Sequence, residues 1–198
     1  MREHADELRI NPEEIVIGGT SAGGHLAAVL AQRCRAVDIP LKAQFLVVPV
    51  TDLHALDEDW NIPPDCPYDS YFENISAPRL PLERIQFFMK QLLGEKMPNP
   101  VPEAHAQLLP ADVELSPIRA DSLKGLAPAA VFTADVDILR DQGEAYAKKM
   151  VDNGVPVRLK RYMGVPHPFT HMDAGLAEAR QFVQDYCDAL QTVFNSRL

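Results

Sequence analysis

The chain has 198 residues, of which 46% are hydrophobic and 24% charged, the composition of an ordinary globular domain. Its formal net charge of −9 argues against nucleic acid or an anionic membrane as a partner, because both bind basic surfaces. No apolar run approaches the length of a membrane span. We therefore expect one domain with a sizeable core, and the composition does not indicate an oligomeric state.

Cysteine usage and the first residues bear on the cellular compartment. Cys34, Cys66 and Cys187 are widely spaced and odd in number, which favours free thiols over a disulfide framework or a metal site. The first six residues are polar and contain no signal peptide, so the sequence favours a cytoplasmic location.

The most informative stretch is EIVIGGTSAGG, residues Glu14–Gly24. The apolar run Ile15–Ile17 predicts a strand. A helix is expected to follow the stretch and to run to about Val37. Its apolar residues, which include Leu26 and Leu30, occupy most of its faces, so we expect it to be buried on a sheet.

Between this strand and helix the sequence matches G-x-S-x-G, the pattern of a nucleophile elbow. In such an elbow Ser21 lies at the apex of a strained turn, and Gly19 and Gly23 leave room where strand and helix cross. The backbone N–H of Ala22 can then donate to a developing oxyanion, helped by the helix dipole. A glycine-rich turn without chemistry is the alternative interpretation.

The remaining elements alternate between strand and helix, which predicts a mostly parallel α/β sheet of about four strands covered by helices. A helical pattern over residues 3–9 precedes the elbow strand. The later predicted elements are a buried strand Gln44–Val50, a helix Leu82–Leu93, a buried strand Ala129–Ala134, a helix from Arg140 to Asn153, an edge strand Val157–Tyr162 and a C-terminal helix.

Apolar spacing predicts which side chains of the last elements are buried. In the edge strand, Val157 and Leu159 alternate with charged residues. The residues expected to face the core from helix Leu82–Leu93 are Ile85, Phe88, Met89 and Leu92, and those from the C-terminal helix are Leu176, Ala179, Val183, Tyr186, Leu190 and Val193.

Residues 52–97 are interpreted as an insertion or cap within the domain. The segment from Thr51 to about Pro81 is polar, rich in proline and aromatic residues, and longer than an ordinary connection. Helix Leu82–Leu93 follows it directly.

Three loops at the carboxyl ends of predicted strands contain side chains that could act in catalysis. Ligands bind at that end of parallel α/β sheets. The first is the elbow with Ser21. The second, residues 135–141, contains Asp135, Asp137 and Asp141, and the third, residues 164–171, contains two histidines. A serine nucleophile needs a base, and the base needs an orienting carboxylate. The chain order Ser, Asp, His is that of an α/β-hydrolase triad.

From the residues alone, several assignments remain open. Asp135 and Asp141 compete with Asp137, and His171 competes with His167. His25 either lines the pocket or packs the helix. The remaining histidines, His4, His54 and His105, are interpreted as surface or loop residues.

The runs GTSAGG, DILRDQGEAYA and GVPHPF resemble the hormone-sensitive-lipase-like branch of the α/β-hydrolases. The resemblance implies that Ser21 is the nucleophile, Asp137 the orienting carboxylate and His167 the general base. It implies hydrolysis of small carboxylic acid esters through an acyl-enzyme on Ser21, with no metal and no cofactor.

One feature departs from that branch. Its members carry an HGGG-type loop upstream of the elbow, which supplies oxyanion donors, whereas the Gly-Gly pairs here are Gly18-Gly19 and Gly23-Gly24. We therefore expect residues 1–198 to form a single, partial α/β-hydrolase domain that lacks the N-terminal strands and the glycine loop. Strand Ile15–Ile17 would then have an exposed edge. The alternatives to an active esterase are a weak or inactive fragment and a ligand-binding module derived from the same fold.

Overall fold

The computed structural model describes residues 2–99 and 109–195. Its four strands form one sheet in the spatial order β1-β2-β3-β4, and every neighbouring pair is parallel. The strands are β1 (Val16–Thr20), β2 (Ala43–Val47), β3 (Ala129–Val136) and β4 (Val157–Pro166). The predicted α/β fold with a parallel sheet of about four strands is confirmed.

Helices connect and cover the strands, and most lie close to their predicted positions. Short 3₁₀ helices occupy Arg2–His4, Leu53–Ala55, Pro117–Arg119 and Phe169–His171. The α-helices of the described residues are α1 (Ala5–Leu8), α2 (Ala22–Ala36), α3 (Asp69–Glu73), α4 (Leu82–Leu93), α5 (Ala111–Leu115), α6 (Arg140–Asp152) and α7 (Ala177–Asn195).

The observed limits of the four strands differ from the predicted ones. β3 and β4 begin as predicted, at Ala129 and Val157, but extend to Val136 and Pro166. β1 continues through Gly18 and Gly19 to Thr20, because its pairing with β2 is made by the backbone and does not require apolar side chains. β2 ends at Val47 because Val48 has a φ of 40°, outside the extended region that a strand requires.

The sheet separates two apolar layers. Successive side chains of a strand point to opposite faces, so Leu46 and Val131 pack with residues of α2 and α6, whereas Phe45 and Phe132 pack with residues of α7. All five residues of β2 are buried. The interior strands are therefore covered on both faces, as their apolar runs predict.

Helix α2 is less buried than predicted. It directs Ala27, Ala28 and Ala31 at the sheet, and these small side chains allow close packing. Leu26 and Leu30 lie roughly on the opposite side of the helix, given about 100° of rotation per residue. Leu26 is consequently 67% exposed, and Leu30 is also exposed. Their predicted burial is wrong.

Four other predicted core positions are exposed as well: Phe88, Leu92, Leu159 and Val183. In α4 the predicted Ile85 is buried and the predicted Met89 is partly buried, and Leu82 and Leu93 pack beside them in place of Phe88 and Leu92. In α7 the core positions next to the wrongly predicted Val183 are taken by Phe182 and Tyr186. Leu159 lies on the edge strand β4, most of whose residues are half-buried or exposed.

Residues 52–97 have their own apolar cluster around Trp60, Tyr68 and Tyr71. The cluster also contains Ile138 and Leu139, which follow the end of β3. This segment therefore packs against the chain at the carboxyl end of β3, the edge of the sheet where the candidate site is expected.

β1 lies at one end of the strand order. It pairs with β2 on one side, and within residues 2–99 and 109–195 no strand pairs with its other side. Val16 and Ile17 are only half-buried there, and Gly18 is exposed.

The helices of residues 2–99 and 109–195 do not include one with the length and apolar character of a membrane span.

The three cysteines are free thiols that differ in exposure, which makes a thiol titration informative. Cys34 is buried, Cys66 half-buried and Cys187 exposed. Burial raises the pKa of Cys34 and of Cys66 and so lowers their thiolate fraction. With Ellman's reagent on the folded chain we expect Cys187 to react first. Under denaturing, non-reducing conditions the titration should give three thiols, and a count of one would reveal a disulfide.

Candidate active site

Ser21 forms the link between β1 and α2. Its φ of 58° and ψ of −117° lie in a region that residues with a side chain rarely adopt. Its N–H donates to Val47 O at 2.8 Å, and its carbonyl accepts from His25 N at 3.0 Å. These two backbone bonds hold the residue in the strained turn that the G-x-S-x-G pattern predicts.

The glycines of the elbow differ in what surrounds them. A Cβ on Gly19 would lie 2.3 Å from the backbone C and O atoms of Gly23, so strand and helix touch at this point. A Cβ on Gly23 itself would have nothing within 4 Å. The second tight position is Gly24, where a Cβ would lie 3.0 Å from Pro49 Cβ. The prediction that Gly23 must lack a side chain is therefore wrong, and Gly24 is the helix residue that has no room for one.

This contrast gives a matched pair of variants. Gly19→Ala should lower the free energy of unfolding by about 3 kcal/mol or more, because backbone atoms must move apart to admit the methyl group. Gly23→Ala should leave it unchanged or raise it by up to about 1 kcal/mol, because alanine is the better helix former. Urea unfolding followed by circular dichroism measures both. Equal losses for the two variants would contradict the packing described here.

Ser21, His167 and Asp137 form a continuous hydrogen-bonded chain. His167 Nε2 lies 2.9 Å from Ser21 Oγ, and His167 Nδ1 lies 2.8 Å from Asp137 Oδ2. Asp137 Oδ1 also accepts from Leu139 N at 2.9 Å. His167 and Asp137 are almost completely buried, at 3% and 1% exposure. A buried carboxylate thus orients an imidazole whose other nitrogen contacts a serine hydroxyl.

Three strand ends bring these residues together, although they are distant in sequence. Ser21 follows β1, Asp137 follows β3 and His167 follows β4. The register between β3 and β4 shifts near Ala134 and Val136, and β4 extends to Pro166, immediately before His167. Parallel strands place all three loops at the same edge of the sheet.

The competing residues lie in other environments. Asp135 Oδ2 accepts from Gly164 N at 3.2 Å, and Asp141 is paired with Arg140. His171 is exposed in the last 3₁₀ helix, where it lines a groove together with Gly18 and Gly19. Of the three competing aspartates, the hydrogen-bonded chain to Ser21 contains Asp137, and of the two competing histidines it contains His167, as the resemblance implies.

The other described histidines have local structural partners. His25 Nδ1 is 3.2 Å from Val50 O, and burial lowers the pKa of this imidazole, which fits a helix-packing role. His54 lies in the segment 52–97, and its Nδ1 is 2.8 Å from Oγ of Ser116, which lies outside that segment. His4 is exposed and lies beside Glu7. His105 lies outside the described residues.

The start of α2 carries the predicted oxyanion donor. Ala22 is the first residue of the helix, so its N–H has no acceptor within the helix and lies at the positive end of the dipole. The side chain of Ser21 does not cap this helix end. Its hydroxyl is instead engaged by His167. Within the described part of the chain, no cluster of three or more His, Cys, Asp or Glu residues is arranged to hold a metal ion.

Sequence reasoning missed the contacts that hold the loop of Asp137. Asn74 Nδ2 donates to the carbonyl of Asp137 at 3.3 Å, and Ser70 Oγ donates to that of Ile138 at 2.9 Å. Both donors lie more than 60 residues upstream, inside the insertion. No local motif signals such a pairing, because it depends on how the insertion folds back onto the end of β3.

This fold agrees with comparisons to known proteins. A family model described as the alpha/beta hydrolase fold matches residues 1–171. The chain belongs to the α/β-hydrolase family, and its resemblance to the hormone-sensitive-lipase-like branch is confirmed.

Several individual relatives are named as hydrolases or esterases. The chain is 34% identical to an AB hydrolase superfamily protein of Schizosaccharomyces pombe, over 97% of this chain and 52% of that protein. It is 33% identical to an arylesterase of Saccharolobus solfataricus, over 85% of this chain and 48% of that protein. The solved esterase of Pyrobaculum calidifontis superposes with a TM-score of 0.78 at 29% identity, covering 98% of this chain and 57% of its own. The chain spans about half the length of the curated relatives it matches.

Proposed function

We propose that this chain carries the catalytic machinery of a serine hydrolase that cleaves small carboxylic acid esters through an acyl-enzyme on Ser21. The observation that carries the proposal is the hydrogen-bonded chain from Ser21 Oγ through His167 to Asp137, with distances of 2.9 and 2.8 Å. The names of relatives support the substrate class: they include the arylesterase above and an ethyl acetate hydrolase of Pseudomonas putida, 29% identical to this chain.

In the acylation step, His167 Nε2 takes the proton of Ser21 as Oγ attacks the ester carbonyl carbon. The carbonyl π electrons move to oxygen, and the N–H of Ala22 donates to this oxyanion. When the tetrahedral species collapses, the bond to the alcohol oxygen breaks. His167 then gives its proton to the leaving alcohol, and the acyl group remains on Ser21.

In the deacylation step, the same imidazole takes a proton from water, whose oxygen attacks the acyl carbon. Collapse of the second tetrahedral species breaks the bond to Ser21 Oγ, which recovers its proton from His167 as the carboxylic acid leaves. Throughout the cycle Asp137 accepts a hydrogen bond from His167 Nδ1–H and remains ionised. It thereby keeps the Nε2 lone pair directed at Ser21 and stabilises the imidazolium that forms transiently.

Labelling with a fluorophosphonate probe tests the proposal. The chain should take up one probe molecule, peptide mass spectrometry should locate it on Ser21, and prior incubation with a small ester such as phenyl acetate should slow the labelling. Ser21→Ala should not label. A folded chain that binds small esters but fails to label would instead be a ligand-binding module, and the proposal would be wrong.

A further inference from the structure

The loop that carries Asp137, residues 135–141, receives several hydrogen bonds from a segment more than 60 residues upstream. We refer to it as the aspartate loop. The residue that precedes helix α6, Leu139, provides no side-chain cap to that helix. The cap comes from Ser70, whose hydroxyl accepts from Asp141 N at 3.2 Å. A short helix within the insertion thus completes the start of α6.

The contact between Ser70 and the aspartate loop is reciprocal. Ser70 N donates to Asp141 Oδ2 at 2.7 Å, and Ser70 Oγ donates to Ile138 O at 2.9 Å. Ser70 is fully buried. Burial raises the pKa of Asp141, but hydrogen bonds from Arg140 and from Ser70 N outweigh this and lower it, so the carboxylate is held in its charged form.

Two further residues of the same segment reach the loop. Asn74 Nδ2 lies 3.3 Å from Asp137 O and 3.5 Å from Asp135 O. Glu73 pairs at 2.7 Å with Arg140, whose Nη1 donates to Asp135 O at 3.1 Å. Residues 70, 73 and 74, which we name the α3 clamp, therefore contact the loop on both sides of Asp137.

We infer that the α3 clamp is a positioning device, which sets the orientation of the Asp137 carboxylate and through it the imidazole of His167. The effect of the clamp on catalysis rests on the proposed function, whereas its contacts with the aspartate loop do not. Asp137 Oδ1 is bonded to Leu139 N inside the clamped turn, so Oδ2 can meet His167 Nδ1 only while the turn keeps its shape. The side-chain hydrogen bonds that Ser70 and Asn74 donate go to the aspartate loop and not to Ser21. They act through the carboxylate.

The test uses two readouts on the 198-residue chain. The first is the rate at which a fluorophosphonate probe labels Ser21. The second is the downfield proton NMR resonance of the His167 Nδ1–H bonded to Asp137, which does not require activity. Ser70→Ala removes the hydroxyl from the clamp. Ser116→Ala is the matched control, because Ser116 is an equally buried serine whose hydroxyl bonds Leu53 N and His54 and not the aspartate loop.

We expect Ser70→Ala to lose or broaden the downfield resonance and to label about 10- to 100-fold more slowly, as small displacements of catalytic groups do. Ser116→Ala should keep both readouts near those of the wild type. If Ser70→Ala does not fold, Asn74→Asp provides the second variant. This variant keeps nearly the same side-chain shape but replaces the amide donor by a carboxylate oxygen, which faces the carbonyls of Asp135 and Asp137. We expect the same loss of the resonance and the same slower labelling.

Failure of this inference is distinguishable from failure of the proposed function. A wild-type chain that shows the resonance but never labels would overturn the proposed function, and loss of that resonance in Ser70→Ala would still support the clamp. A resonance and labelling rate in Ser70→Ala or Asn74→Asp equal to those of Ser116→Ala would overturn the clamp. Absence of the resonance from the wild type would overturn it too, since the bond that the clamp is inferred to hold would not form.

Discussion

Replacing Asp137 by asparagine is expected to lower the rate of Ser21 acylation about 10⁴-fold, the size of effect known for the buried aspartate of such a triad. An asparagine amide can donate to His167 Nδ1 and so leave the proton on Nε2. His167 could then no longer accept the proton of Ser21. Stopped-flow or progress-curve kinetics with p-nitrophenyl acetate, together with fluorophosphonate labelling, measure the loss.

Asp135→Asn is the matched control for this prediction. Asp135 lies two residues away in the same loop, and its contact with Gly164 N needs only an acceptor oxygen, which asparagine retains. We expect less than a tenfold change for this variant. A large loss in Asp135→Asn combined with a small loss in Asp137→Asn would show that the orienting carboxylate is wrongly assigned.

The second large effect concerns the oxyanion. Loss of one donor from an oxyanion hole costs about 2.7–4 kcal/mol, or 10²–10³ in rate. The N–H of Ala22 is the donor that we assign here, and the sequence contains no HGGG motif. We propose that residues 1–198 hold a partial domain and that this chain by itself hydrolyses p-nitrophenyl acetate slowly. Fusing the strand and HGGG-type loop of an esterase of the same branch ahead of β1 should raise kcat by at least 10²-fold.

A control fusion separates catalysis by the loop from general stabilisation. The same segment with its HGGG glycines replaced by proline lacks the N–H donors but keeps the strand that would pair with the free side of β1. It should therefore raise the Tm without raising kcat. If the 198-residue chain alone matches the esterases of this branch in kcat, another loop supplies the donors and the proposal of a partial domain is wrong.

The sequence predicts the sheet and the elbow well because their determinants are local. The apolar run of β2 is buried on both faces, and the glycine–serine pattern marks a turn in which Gly19 must lack a side chain. Helix α4 has the predicted limits, Leu82–Leu93, because its apolar spacing continues over three turns.

Other features depend on contacts that sequence spacing does not contain. Leu26 and Val183 are as apolar as their buried neighbours, and only the direction in which each helix meets the sheet leaves them exposed. Similarly, the glycine that packs against Pro49 is Gly24, and this depends on where the loop after β2 passes.

Within the candidate site, the catalytic side chains can be predicted from the sequence, but the hydrogen bonds that hold the loop of Asp137 cannot. The family resemblance distinguishes Asp137 from Asp135, and the structure places Asp137 next to His167. The bonds from Ser70 and Asn74 join residues about 60 to 70 positions apart, so they follow from how the segment around α3 packs on the start of α6.

The central claim is that Ser21 becomes acylated. Its most direct test is mass spectrometry of the intact chain, quenched in acid during turnover of p-nitrophenyl acetate. The account predicts a species heavier by one acetyl group, located on the peptide that contains Ser21 and absent from Ser21→Ala. It also predicts that the species accumulates in the wild type and decays once the ester is exhausted. Ester hydrolysis without a modified serine, or at an equal rate in Ser21→Ala, would contradict it.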